Sequence, residues 1–325
     1  MKEKDFINSN SRTFYFILGA VTSIAALIIA GFIFLKNSEE VIAAADERND
    51  DGFPQNYRII SPEVPKEIYF AGERIPLENF EVYERIDREL LVNTYWHSAT
   101  ILAIKRANRW FPVIEPILRR YNVPDDFKYL AVAESNLDNV VSPAGATGYW
   151  QFMKAAAEKY GLEVTSEVDE RYHVEKSTEA ACKYLLESYQ KYGSWTMAAA
   201  SYNMGVAGVD NQIGRQKTNN YYNLVLNIET SRYVARIVSL KLIMQSPHKY
   251  GFDLKESDLY NPLQTYEVEL SGSVSDFADW SIAQGINYKI LKMYNPWLRD
   301  VKLTNRSGKT YKIFMPEKGS IEIIK

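Results

Sequence analysis

Between Pro124 and Glu134 the chain sets Phe127, Leu130, Ala131 and Glu134 on one face at helical spacing, three apolar positions and one carboxylate. A fold that accepts this pattern is helical here and must partly desolvate an ionisable group. Burial disfavours the charged form of a carboxyl and raises its pKa, which suits a group that holds a proton near neutral pH and then releases it. The same segment admits a plainer reading, a Glu at a helix C-terminus whose head reaches solvent or meets an arginine. Its surroundings are helical too. Phe80, Tyr83, Ile86, Leu90 and Leu91 form one stripe, Ile101, Leu102 and Ile104 mark a second helix, and Val113, Ile114, Ile117 and Leu118 a third. Pro112, Pro116 and Pro124 punctuate them. Further on, a helix over 177–191 is capped by Ser177 or Thr178 and closed by Gly193, one over 195–202 is rich in small residues, and one spans about 230–244.

After Pro262 the texture changes. Thr265, Tyr266, Val268 and Leu270 alternate as a strand; Ser273 or Ser275 caps a helix reaching Gln284; Tyr288, Leu291 and Tyr294 mark a helix that Pro296 ends; residues 311–315 read as a closing strand. The expectation is a small strand-helix-helix-strand unit.

At the other end, residues 13–35 carry no charge, and as a helix they measure about 33 Å, enough to cross a hydrocarbon core of roughly 30 Å. Lys2, Lys4 and Arg12 precede this run and Glu39, Glu40, Asp46 and Glu47 follow it, so the positive-inside rule leaves the N-terminus in the cytoplasm. The rival reading is a cleaved signal peptide processed near Ala43-Ala44-Ala45, but the apolar run is longer than such peptides use. The acidic, proline-bearing stretch after it reads as a tether. A net charge of −3 with no basic stripe gives no electrostatic case for nucleic acid. The single cysteine, Cys182, excludes an intramolecular disulfide and sits in an apolar pattern that reads as core; the histidines His97, His173 and His248 are too scattered to suggest a metal site.

Glu134-Ser135-Asn136 is followed by Ser142 to Met153, which holds Gly148-Tyr149-Trp150-Gln151-Phe152, then by Ser201-Tyr202-Asn203-Met204-Gly205, then by Glu229-Thr230-Ser231-Arg232-Tyr233-Val234. This ordered set resembles the soluble-lytic-transglycosylase family, most closely its membrane-bound type D members, over roughly residues 76 to 245. The C-terminal unit is similar to a degenerate LysM module, through Leu291-Lys292-Met293-Tyr294-Asn295-Pro296. Two departures stand out. Glu134 and Ser142 are eight residues apart where the family commonly has nine, and Tyr149 stands where Leu is usual.

The resemblance implies a mainly α chain: a lysozyme-like, goose-type helical catalytic domain, a small α+β C-terminal module and an N-terminal transmembrane helix. The expected order is a cytoplasmic N-terminus over 1–12, an anchor over 13–35, a periplasmic linker over 36–75, a catalytic domain over 76–250 and the LysM-like module over 263–325. The chain would be a single-pass protein of the bacterial inner membrane with its catalytic domain in the periplasm. It would act on peptidoglycan glycan strands without metal or cofactor, in the possible company of other wall enzymes. Glu134 would protonate the oxygen bridging N-acetylmuramic acid (MurNAc) and N-acetylglucosamine (GlcNAc), then act as base while the muramic 6-hydroxyl attacks C1, giving 1,6-anhydro ends; the sugar's own acetamido group replaces a protein nucleophile. Ser142, Gln151, Tyr202, Asn203, Glu229 and Tyr233 would contact substrate or orient the acid, with Trp150 and Phe152 reading rather as core. Two rivals are a goose-type lysozyme-like hydrolase using water and a catalytically silent wall-binding anchor.

Overall fold

A computed structural model of the chain describes residues 59–320. The expected cytoplasmic segment, membrane span and first part of the linker, over 1–58, lie outside the described residues. Among the described residues no helix is long and apolar enough to cross a membrane. The hairpin strands β1 (Tyr69–Phe70) and β2 (Glu73–Arg74) lead into α1 (Phe80–Tyr95) and α2 (His97–Arg120). Then come α3 (Lys128–Ser135), α4 (Lys154–Lys159), α5 (Val174–Tyr192), α6 (Trp195–Met204), α7 (Val206–Gln216) and α8 (Ile228–Gln245). The C-terminal unit is β3 (Thr265–Leu270), α9 (Phe277–Ala283), α10 (Tyr288–Tyr294) and β4 (Tyr311–Pro316), its strands antiparallel from Thr265↔Pro316 to Leu270↔Tyr311.

The core is built around α3. Tyr129, Leu130, Ala131 and Val132 are all buried, as is Phe127 just before them, because α2 and α8 both pack on this short helix. The helix stops abruptly: Asn136 and Leu137 adopt left-handed φ values of 52° and 54°, leaving Glu134 in the last turn. On the far side, α6 packs on α5 and α8 through Met197, Ala198, Ala199, Ala200 and Ser201, whose small side chains permit close approach.

Several sequence expectations need correction. In α1 the buried face is Val82, Ile86, Glu89, Leu90 and Asn93, whereas Phe80, Tyr83 and Leu91 are exposed. The inward face includes polar side chains because α8 supplies their partners: Arg232 Nε lies 2.8 Å from Glu89 Oε1 and Ser239 Oγ accepts from Asn93 Nδ2 at 2.8 Å. The two helices expected over 101–118 are one, since α2 runs straight through Pro112 and Pro116; proline deletes a donor and bends a helix without necessarily ending it. Ser177 and Thr178 do not cap α5 but lie buried inside it, donating to the carbonyls of His173 and Val174. Asp276, not Ser273 or Ser275, caps α9.

The expected tether does not extend to residue 75. Val64, Ile68, Phe70 and Ile75 are buried, and the Phe70 ring meets that of Phe127 edge-on at 5.2 Å between centroids. Ala71 and Gly72 both have positive φ, the geometry of a two-residue hairpin turn that matches strand twist. Ala71 is held there by its N–H, which donates to Asp126 Oδ2 at 2.7 Å. Lys241 of α8 grips the hairpin as well, donating to Tyr69 O (2.9 Å) and Asp126 (2.7 Å). The carboxylate of Glu73 accepts from the N–H groups of Trp195 and Thr196 and from the hydroxyls of Ser194 and Thr196. It therefore caps α6 from across the fold, neutralising orphan donors at the positive end of the helix. Sequence periodicity cannot register such a segment, because it is too short for a helical stripe and its turn carries an Ala where Asn or Asp would signal a hairpin.

Glu73→Ala removes four hydrogen bonds from one helix terminus, and we expect a loss of about 2 kcal/mol, measured as a lower midpoint in urea-induced unfolding. Glu73→Gln, which keeps an acceptor, should lose less.

Candidate active site

Glu134 leaves the last turn of α3 and meets Tyr233 of α8, whose hydroxyl donates to Oε1. The residue keeps partial exposure at the surface while protein atoms crowd its carboxyl. Burial pushes the pKa up to about 7; the bond from Tyr233 and the positive charge of Arg236 act the other way, and the negative charge of Glu229 adds to the rise. The Tyr233 and Tyr202 phenols are themselves pushed well above their ordinary value, by burial first and the nearby Glu134 charge second, so both remain donors.

The two phenols do different work. Tyr202, near the end of α6, donates to the Trp150 carbonyl at 2.8 Å and packs edge-on against Phe152. It fixes the loop over 139–152 and makes no hydrogen bond to Glu134, contrary to one of the two roles foreseen for it. Trp150 and Phe152 are core, as their sequence reading held: Trp150 is fully buried with Nε1 donating to Thr178 Oγ1 at 2.8 Å. Between them Gln151 takes a left-handed φ of 50° and its Nε2 donates to the carbonyls of Gly148 (2.8 Å) and Val140 (3.0 Å). Gly148 has no alternative at its position, since its φ is +81° and a Cβ would stand 2.0 Å from the Arg171 carbonyl oxygen.

Ser142 closes the base of this loop. Its N–H donates to Ala146 O at 2.8 Å and its Oγ accepts from the Ala146 N–H at 3.0 Å. Asn203 and Glu229 form a separate pair on the rim, where Asn203 Nδ2 lies 3.3 Å from Glu229 Oε1 and Asn203 Oδ1 accepts from Thr230 Oγ1 at 2.6 Å. These bonds tie the end of α6 to the start of α8 beside the exposed Glu229 carboxylate. Among the described residues, no group of three or more His, Cys, Asp or Glu is placed to hold a metal ion.

Residues that sequence reasoning did not single out do much of the holding. Ser135, adjacent to the acid, donates to Ala131 O (3.1 Å) and to Tyr149 O (2.8 Å), pinning the end of α3 to the loop. Arg171 donates to Gly145 O (3.2 Å) and Phe152 O (3.1 Å), clasping both ends of the loop segment that carries Gln151. The buried Glu89 engages Arg232 and Arg236 from behind. Ser135 had a signal in its place within the Glu-Ser motif. Arg171 had none, because the loop groups it holds are backbone carbonyls distant in sequence, at Gly145 and Phe152.

Folding raises the Glu134 pKa from about 4.5 to about 7. Protonation is thus linked to the folded state: the stabilising contribution is full at pH values below about 4.5 and lost as pH rises through about 7. Glu134→Gln, which still accepts from Tyr233, should raise the melting temperature at pH 8 and change it little at pH 4.5, in thermal unfolding followed across pH.

Two domain families match the chain. Residues 112–225 match the transglycosylase SLT domain, and residues 266–319 match the soluble lytic transglycosylase C-terminal LysM-like domain. Among curated proteins, the membrane-bound lytic murein transglycosylases D of Escherichia coli K12 and of Escherichia coli O6:H1 are each 28% identical over 258 residues, 77% of this chain and 55% of theirs. The chain thus spans about half the length of the curated relatives it matches. Glu134, Ser142, Gln151, Tyr202 and Asn203 fall inside the first match, while Glu229 and Tyr233 lie just beyond it on α8. The stretch that carries the desolvated Glu134 is thus similar to a transglycosylase SLT domain, and the C-terminal unit to the LysM-like domain of soluble lytic transglycosylases.

Proposed function

We propose that this chain is a peptidoglycan lytic transglycosylase that cleaves the β-1,4 bond between MurNAc and GlcNAc and leaves 1,6-anhydro-MurNAc ends. The observation that carries this reading is the Glu134 carboxyl, raised to about 7 by burial at the end of α3 within the matched domain. A carboxyl with that pKa is about half protonated at neutral pH, and the protonated form can give its proton to the bridging oxygen as the C1–O bond breaks. The acetamido oxygen of the same sugar stabilises C1. The ionised Glu134 then takes the proton of the muramic 6-hydroxyl as that oxygen bonds to C1, so bonds made and broken balance without water.

The other residues serve this step. Tyr233 orients the carboxyl through its hydrogen bond to Oε1. Gln151, Ser142 and Asn203 offer hydrogen bonds to glycan hydroxyls and acetamido groups, and Tyr202, through the Trp150 carbonyl, holds the loop that carries Gln151. Glu229 raises the proton affinity of Glu134 and contacts substrate from the rim. The curated relatives are named as membrane-bound. With the uncharged run over 13–35, this supports an inner-membrane, single-pass placement with the glycan-cleaving domain in the periplasm, free to work alongside other wall enzymes.

The test is mass spectrometry of sacculi digested with the full-length chain and with Glu134→Gln. Anhydro-muropeptides from the wild type and none from the variant are expected. Reducing ends would instead mean a hydrolase, and sacculus binding without soluble product a silent anchor. Because the acid must start protonated, kcat/KM should fall about tenfold per pH unit above roughly pH 7. Tyr233→Phe deletes the bond that lowers the Glu134 pKa, so this limb should move to higher pH while the maximal rate drops.

A further inference from the structure

The C-terminal module grips residues 163–173 of the helical domain. The Asp169 N–H donates to Trp297 O (2.9 Å), the Arg299 N–H donates to Glu167 O (2.8 Å), and Val168 pairs with Leu298 as an isolated antiparallel bridge. The Arg299 guanidinium stands 4.0 Å over the Tyr172 ring, and His173 stacks on Trp297 at 5.8 Å. Lys309 Nζ sits 2.5 Å from Glu163 Oε2 and 3.2 Å from Glu170 Oε1. Val168 and Tyr172 belong to the apolar cluster of the module and not to that of the helices. A surface joined by backbone bonds, a shared core and ion pairs is not a loose tether between domains.

The opposite face of the gripped segment holds the loop over 139–152. The Asp169 carboxylate takes Arg171 in a two-point grip, Nε to Oδ1 at 2.9 Å and Nη2 to Oδ2 at 2.7 Å. Arg171 in turn donates to the carbonyls of Gly145 and Phe152. Asn139 Nδ2 donates to Tyr172 O at 3.3 Å, and Gly148 lies close beneath the Arg171 carbonyl. Asp169 is thus bonded at its N–H by the module and at its carboxylate by the residue that clasps the Gln151 loop.

We infer that the module is a brace for the active-site loop, and that Arg171 is the positioning residue through which it holds Gln151 in place. A rigid loop matters because a shift of about 1 Å in a substrate-orienting group can cost a hundredfold in rate. The inference rests on the proposed glycan cleavage for its kinetic consequence alone; the mechanical link stands without it.

The experiment uses the full-length chain, the double variant Arg299→Ala with Lys309→Ala, the single variant Lys309→Ala, and Lys309→Arg. Hydrogen exchange of residues 139–152 should speed at least tenfold in the double variant, with α6 and α8 unchanged, and Lys309→Arg should stay close to wild type. On glycan strands kcat should fall about tenfold with KM held within twofold, since the brace orients and does not bind. Exchange that quickens over 163–173 but not over 139–152 would overturn the brace, and a loosened loop with undiminished kcat would overturn the positioning role of Arg171. If the double variant loosens α6 and α8 as well, the milder Lys309→Ala decides by the same loop readout. A wild type that cleaves nothing would count against the proposed function, and the exchange result would still decide the brace.

Discussion

Taking water away from the Glu134 carboxyl is the constraint around which the helical domain is arranged. An ionised carboxylate in that position lacks the partners that would offset its desolvation, so the group keeps its proton to a pH near 7. Few donors are allowed near it. Tyr233 supplies one hydrogen bond, Tyr202 is committed to the Trp150 carbonyl, and the Arg236 side chain is drawn toward the buried Glu89 at 3.7 Å. A strong cation partner would return the carboxyl to its ordinary range.

The recess thus depends on residues that never face it. Ser135 locks the end of α3 to the loop, Thr178 holds the Trp150 indole from inside α5, and Glu73 caps the helix that bears Tyr202. Each is a polar group with its hydrogen bonds satisfied within the fold, and each uses them to set the direction of an element, with little net gain in stability per bond.

Much of this was legible in the sequence where chemistry and periodicity coincide. The inward face of α3, the burial of Trp150 and Phe152, and the strand-helix-helix-strand order of the C-terminal unit all followed from local pattern. What escaped was non-local. The inward face of α1 contains Glu89 and Asn93, so an apolar template slides off it onto Phe80 and Tyr83; only the arginines and serine of α8, well over a hundred residues on, make that face habitable. The motif residues were found as a set, but their division of labour was not. Nothing in the letters says that Tyr233 touches the acid while Tyr202 touches a backbone carbonyl, or that Ser142 spends its hydroxyl on its own turn.

The hairpin over 69–74 carries a consequence for the order in which the protein can be made. It is among the first described segments to leave the ribosome, yet the groups that hold it, Thr196 and Lys241, follow well over a hundred residues later. Until both have emerged, Phe70 has no complete pocket and the Glu73 carboxylate no helix end to cap. Contacts of such sequence separation carry a loop-closure entropy that must be met before they stabilise the fold. The contacts that complete the hairpin's seat therefore wait for α8, and a chain interrupted before that point has Glu134 without the Tyr233 that meets it.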